Sequence, residues 1–225
     1  GVQTCALPIF SVTYLVFSRD LPDVETLRDI QLQVPLRVYS HDGKLISVFG
    51  EKRRIPIRIN DIPKDLINAF IAGEDKRFYE HIGIDYEGIT RAVWTLATTG
   101  EKSIGGSTIT QLLARNYFLS PEKTFTRKIK EALLALKIER TYSKEKILEL
   151  YLNEIFLGQN SYGVAAAAQS YFNKTLDQLT PGEAAYLASL PKAPSNRHPV
   201  RNYADAVFWR DNTLRLMAQN GYISA

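Results

Sequence analysis

The 225-residue chain is poor in the groups that most often announce chemistry. Its one cysteine, Cys5, excludes an internal disulfide framework and any cysteine-built metal site, while leaving the redox compartment open. The three histidines, His41, His81 and His198, stand at no metal-ligand spacing. An excess of one charge sign is also lacking: 28 Lys and Arg against 24 Asp and Glu leave +4. Local patches must therefore meet any anionic partner, and no nucleic acid is expected among the partners. There is no G-x-x-x-x-G-K-[ST], which removes a phosphate-cradling P-loop. Two S-x-x-K matches, at Ser120–Lys123 and Ser189–Lys192, lack a K-T-G partner, so a penicillin-reactive serine is not expected.

Long hydrophobic runs are missing too. FSVTYLVF (Phe10–Phe17) falls short of the roughly 20 residues that span a bilayer. With a truncated N-terminus it would be the outer end of a transmembrane anchor covering about 10–18; otherwise it starts a core or surface helix. The preceding GVQTCALPI (1–9) fits neither a signal peptide nor a helix start, and resembles the translation of a sequencing-adaptor oligonucleotide fused to a truncated reading frame. The chain as a whole is 45% hydrophobic, enough for a substantial core in one domain, with or without a small appendage.

From Leu36 to Phe49 apolar residues alternate around Asp42-Gly43, which predicts a hairpin with a two-residue turn, and Ile55–Ile59 reads as a further strand. After Pro63 the signals turn helical. Asp85, Ser107, Ser143 and Thr180 are the expected N-caps, the last in a capping box with Pro181 and Glu183, and Gly158 and Gly221 read as helix stops. With no repeat and no low-complexity linker, the helical region from about Asp61 is expected to be one folded unit. TTGEKSIGGS (Thr98–Ser107) has the composition of a mobile loop, serving as a lid or as a plain connection.

Three segments carry groups fit for chemistry. In EDKRFYEHIG, helical spacing puts Phe70, Ile71, Phe78 and His81 on the face of Glu74. Desolvation there would raise the carboxyl pKa toward what a general base needs near neutrality; paired with Arg77 at i+3, the same carboxylate would be structural. In TFTRKIKEALLALKIER, Ile129, Ala132, Leu133 and Leu136 form the apolar stripe. Glu131 lies off it, against Leu134, Ala135 and Ile138, with Arg127 and Lys128 in reach. That mixed cluster suits phosphate oxygens, or else amounts to ordinary surface ion pairs. In GGSTITQLLARN, glycines before Ser107 let backbone approach a ligand at a helix N-terminus, and Gln111 and Arg115 add a polar edge; a capped helix with a flexible entry is the plainer reading. KILELYLNEIFLGQNSYGVAAAAQ, with Glu149 and Asn153, reads as scaffold. In LASLPKAPS, Lys192 stands between two prolines that would fix the backbone and aim one cation.

In their order and spacing, EDKRFYEHIGID, GGSTITQLLARN, RKIKEALLALKIE, KILELYLNEIFLGQNSYGVAAAAQ and LPKAPS resemble the five successive motifs of family 51 glycosyltransferases, the peptidoglycan polymerase domains of class A penicillin-binding proteins. Similarity runs from about Leu21 to the C-terminus, and LPDVETLRDIQLQVPLRVYS resembles the segment after the membrane anchor in the Gram-negative 1A type.

The resemblance implies a mainly α, lysozyme-like domain over 61–225, a membrane-proximal segment with the hairpin over 19–60, and a transpeptidase domain beyond Ala225 that this chain, as a fragment, lacks. It implies polymerisation of lipid II with inversion at the sugar. Glu74 would be the general base and Glu131 would orient the donor pyrophosphate, directly or through a divalent cation (Mg2+ or Mn2+), no cofactor being obligatory. Arg127, Lys128, Arg115 and Lys192 would neutralise undecaprenyl pyrophosphate. Ser107, Thr108 and Gln111 would line the donor site, Asp75, Phe78 and His81 would shape the first motif, and Ser195 in LPKAPS would join the substrate-binding set.

Expected partners are lipid II, the growing glycan chain and cell-wall synthesis proteins, at the periplasmic face of the bacterial inner membrane behind a single-pass anchor. The chain departs from the family at Gln111-Leu112, where two consecutive glutamines are usual. A lysozyme-like lytic transglycosylase or a catalytically weak lipid II-binding scaffold are the rival readings.

Overall fold

The computed structural model describes residues 21–28, 36–49, 53–100, 106–120, 122 and 124–224. In chain order the strands are β1 (Leu36–Tyr39), β2 (Leu45–Phe49) and β3 (Arg53–Arg54), and the helices that follow are α1 (Lys64–Glu74), α2 (Tyr86–Thr99), α3 (Ile109–Phe118), α4 (Phe125–Thr141) and α5 (Lys144–Glu154). After these come β4 (Ser161–Tyr162), α6 (Val164–Phe172), α7 (Pro181–Ser189) and α8 (Tyr203–Gln219). The fold is mainly α with a small β element, as the sequence predicts. The adaptor-like segment 1–9 and the Phe10–Phe17 run lie outside the described residues; among those described, no helix is long and apolar enough to cross a membrane.

The described residues divide into two compact units: 21–28 with Phe78–Ile147, and those between 36 and 77 with Leu148 onward. In the first, α3 packs on α4 through Ile109, Leu113 and Ala114 on one side and Leu134, Ala135 and Ile138 on the other, all fully buried. A one-turn 3-10 helix at Val24–Leu27 buries Val24 and Leu27 against α4, and Tyr142 Oη donates to Val24 O at 2.9 Å. In the second, α7 packs on α1 and α8, and its alanines permit close approach: a Cβ at Gly73 of α1 would sit 3.7 Å from Ala188 O. Burying a side chain such as Phe70 or Leu66 contributes about 1.5–3 kcal/mol each.

The hairpin forms with Leu36 opposite Phe49 and Val38 opposite Ser47, but its turn differs from expectation. Gly43 N donates to Ser40 O and Ser40 N to Lys44 O, and Gly43 alone in the turn has positive φ, +78°. A two-residue type I′ turn needs two left-handed residues; with one, the loop is a three-residue turn closed by a glycine bulge. The strand expected at Ile55–Ile59 is also absent. Pro56 supplies no N–H, and the amides of Ile57 and Ile59 are taken by Asn153 Oδ1 and Glu149 Oε2, both at 2.9 Å. The two-residue β3 just before it pairs in parallel with β4. Glu149 and Asn153 are thus scaffold groups that clasp backbone, as their sequence setting suggests.

Candidate functional site

Among the described residues, each body carries one of the two glutamates that the sequence singles out, each beside at least one cation. In the first, a capping reassignment shapes it. Thr108, not Ser107, caps α3: Gln111 N donates to Thr108 Oγ1 (3.2 Å) and Thr108 N to Gln111 Oε1 (3.0 Å). The spacing explains it, since T-x-x-Q completes a capping box and Ser107 has threonine three residues on. Thr108 Oγ1 also donates to Gly83 O at 2.6 Å. Gly83 has φ +100°, and a Cβ there would lie 2.8 Å from Ala135 O, so only glycine lets the loop after His81 press on α4. Both Thr108 and Gln111 are buried where they hold this joint.

Released from capping, Ser107 Oγ accepts from Lys128 Nζ at 2.6 Å. The same ammonium donates to Glu131 Oε2 at 2.8 Å, and Arg127 Nε stands 3.1 Å from Glu131 Oε1. That second approach is a charge contact whose N–H is not aimed at the oxygen, which leaves Oε1 without a hydrogen bond. Glu131 is 2% exposed. The buried face of α4 is therefore the one carrying Glu131, Leu134, Ala135 and Ile138, while the expected stripe of Ile129, Ala132, Leu133 and Leu136 is only half-buried. Sequence periodicity fits both faces equally; the partners α3 and Gly83 choose between them.

Arg115 is half-buried in the last turn of α3, and among the described residues no hydrogen bond or ion pair ties it to this cluster. Phe78 and His81 are buried in the same body. His81 Nδ1 accepts from Gly83 N at 3.1 Å, and Lys144 Nζ, 4.6 Å above the Phe78 ring, donates to His81 O (2.6 Å) and Glu139 Oε1 (2.8 Å). Sequence reading missed Lys144 and Glu139, since neither lies in a recognisable spacing with the loop it anchors.

The second cluster surrounds Glu74. Helix α1 ends at this residue, because its cap Asp75 leaves the helical region at φ −157°, ψ 75°, so helical spacing does not carry Phe78 and His81 onto the Glu74 face. Phe70 and Ile71 do belong to α1 and are buried. Asp75 is buried at the cap, its N–H donating to Ile71 O. The Glu74 side chain is 8% exposed, and Lys192 Nζ stands 3.8 Å from Oε1 while donating to Gly73 O at 2.8 Å. Lys192 closes a one-turn 3-10 helix, Leu190–Lys192, whose proline fixes its direction. Within this body its ammonium stands beside Glu74, a neighbour that motif spacing does not give. Ser195 is exposed on the following turn. Gly73, Glu74, Ser189, Lys192, Arg197 and Trp209 border one small cavity, and Arg197 is a charge that motif reading passed over.

No three His, Cys, Asp or Glu side chains converge among the described residues. The Glu131 oxygens face two cations, a setting that disfavours a metal ion on that carboxylate.

A model of the Transglycosylase family matches residues 42–218. Penicillin-binding protein 1A of Vibrio cholerae is 54% identical over 211 residues, 94% of this chain and 26% of the relative; its Escherichia coli namesake is 54% identical over 94% of this chain and 25% of its own. A crystal structure of penicillin-binding protein 1A from Haemophilus influenzae aligns with TM-score 0.49 and 34% identity, over 87% of this chain and 19% of that one. The chain spans about a quarter of the length of the curated relatives it matches.

Proposed function

The chain belongs to the transglycosylase family, and from that premise we propose that it polymerises peptidoglycan glycan strands from lipid II. Glu74 takes the proton from the 4-hydroxyl of the acceptor GlcNAc. The freed oxygen attacks C1 of the MurNAc at the reducing end of the growing chain, forming the β-1,4 bond with inversion. The bond from C1 to undecaprenyl pyrophosphate breaks, and that group leaves with its electron pair. A diphosphate leaving group needs cations rather than a proton donor. Arg127 and Lys128 supply them, and Glu131 holds the two like charges side by side, leaving no step that calls for a metal ion.

The observation that carries this reading is the pair of cations gathered on the buried Glu131. A lytic enzyme with the same base would have no use for it. A second support is the exposed apolar surface of α2, where Tyr86, Ile89, Trp94 and Leu96 face solvent and Trp94 is 71% exposed. Such a surface suits a chain working on a lipid-linked substrate at a membrane, on the periplasmic side where glycan is built. Incubation with labelled lipid II tests the proposal. Wild type should yield long glycan and Glu74→Gln none; cleavage of preformed glycan, or binding without product, would overturn it.

A further inference from the structure

Arg197 has no role in the mechanism above, yet its setting is costly for a surface loop. It is 5% exposed, its guanidinium stacks on the Trp209 ring with Cζ 3.8 Å from the centroid, Nη1 donates to Ser189 O, and Nε has no hydrogen-bond partner. Its own carbonyl accepts from Tyr186 Oη at 2.9 Å, so both ends of the residue are fixed on α7. A desolvated cation is expensive without an anion near it. Burial pushes the Arg197 guanidinium below its usual range, and the charges of Glu74 and Asp205 act against that. The cavity bordered by Glu74 has two cations in its wall, Lys192 and Arg197.

We propose that Arg197 is a positioning residue for the base: a guanidinium clamped between Trp209 and the end of α7 that, with Lys192, makes the cationic wall holding the Glu74 carboxylate ionised and in place. This rests on Glu74 being the general base. The groups that share the cavity with that carboxylate are Lys192 from the turn after α7, with its ammonium 3.8 Å from Oε1, Arg197 from the next loop, and Trp209 and Asn212 from α8; Asp205 acts on Arg197 from the same helix, and Asp75 follows Glu74 in the chain. Lys192 stands nearest the Glu74 carboxylate and the charge of Arg197 also acts on it, and both favour the charged base. Flexible Lys192, 32% exposed, can turn to water, whereas Arg197 cannot leave its stack.

The test is the pH dependence of kcat/KM for lipid II polymerisation. Removing a nearby cation destabilises the carboxylate, so its pKa rises and the acidic limb moves to higher pH. Arg197→Gln is expected to move that limb up by about 0.5–1 pH unit, with the rate above it within a few-fold of wild type. Arg197→Lys, keeping the charge, should move it less than half as far. A loss equal at every pH, or an unmoved limb, overturns the proposal. Should Arg197→Gln not fold, Trp209→Leu unclamps the guanidinium and should move the limb the same way; a wild-type limb there overturns the proposal too. Glu74→Gln separates the premises: activity in that variant sinks the base itself, whereas an inactive Glu74→Gln with an unmoved Arg197→Gln limb sinks only the role of Arg197.

Discussion

Replacing Glu131 with glutamine keeps the side-chain volume and removes the charge that two cations share. The carboxylate is 2% exposed, and the Arg127 and Lys128 side chains are 16% and 45% exposed. Breaking a fully buried ion pair costs about 3–5 kcal/mol. Lys128 can swing its ammonium into water and Arg127 is partly open, so about 1–3 kcal/mol of stability should be lost. For a chain of this size that lowers Tm by roughly 2–12 °C.

The catalytic loss should be larger. Without the anion the cations repel and splay, so the prearranged charge at the diphosphate is lost, which costs on the order of 100-fold or more in rate. The double variant Lys128→Gln/Glu131→Gln separates the two effects: removing one cation along with the anion should recover Tm without recovering activity. The assays are calorimetry and initial-rate polymerisation of labelled lipid II. A Glu131→Gln enzyme within threefold of wild type, or a double variant that regains rate together with Tm, would refute the reasoning and make Glu131 structural only.

Two further outcomes are expected. Burial raises the Glu183 pKa, but hydrogen bonds from Lys174 and from Thr180 outweigh it and hold the carboxylate below 4.5. Its stabilising effect is therefore present above the unfolded value and lost as pH falls through the folded one. Glu183→Gln should lose about 0.5–1 kcal/mol at pH 7 in denaturant titrations and match wild type once pH has fallen below the lowered folded pKa, and a gap that persists in strong acid would contradict this. Leu112→Gln, restoring the amide at a half-buried position of α3, should raise the rate of polymerisation by up to the roughly 10- to 1,000-fold that a transition-state contact carries; an unchanged or lower rate counts against it.

Much was legible along the chain because it depends on near neighbours. The helical region after Pro63, the hairpin position, the Asp85 and Thr180 caps and the i−3 and i−4 partners of Glu131 are set by residues a turn or so apart. The errors share one cause, which is competition between equally good local choices. Ser107 and Thr108 are both fit to cap, and Gln111 at the third helical position decides for Thr108. On pattern alone helix α1 runs past Glu74, but the backbone of Asp75 leaves the helical region.

The sequence by itself determined the family, the helical class, the two glutamates and the cations beside Glu131, since spacing within a motif survives folding unchanged. Tertiary structure decided which face of α4 is buried, that Lys192 stands beside Glu74, and that Arg197 lies clamped on Trp209 at the same cavity. Those facts join residues more than ten positions apart. No periodicity encodes such contacts; they arise only when helices pack and choose which charges lose water together.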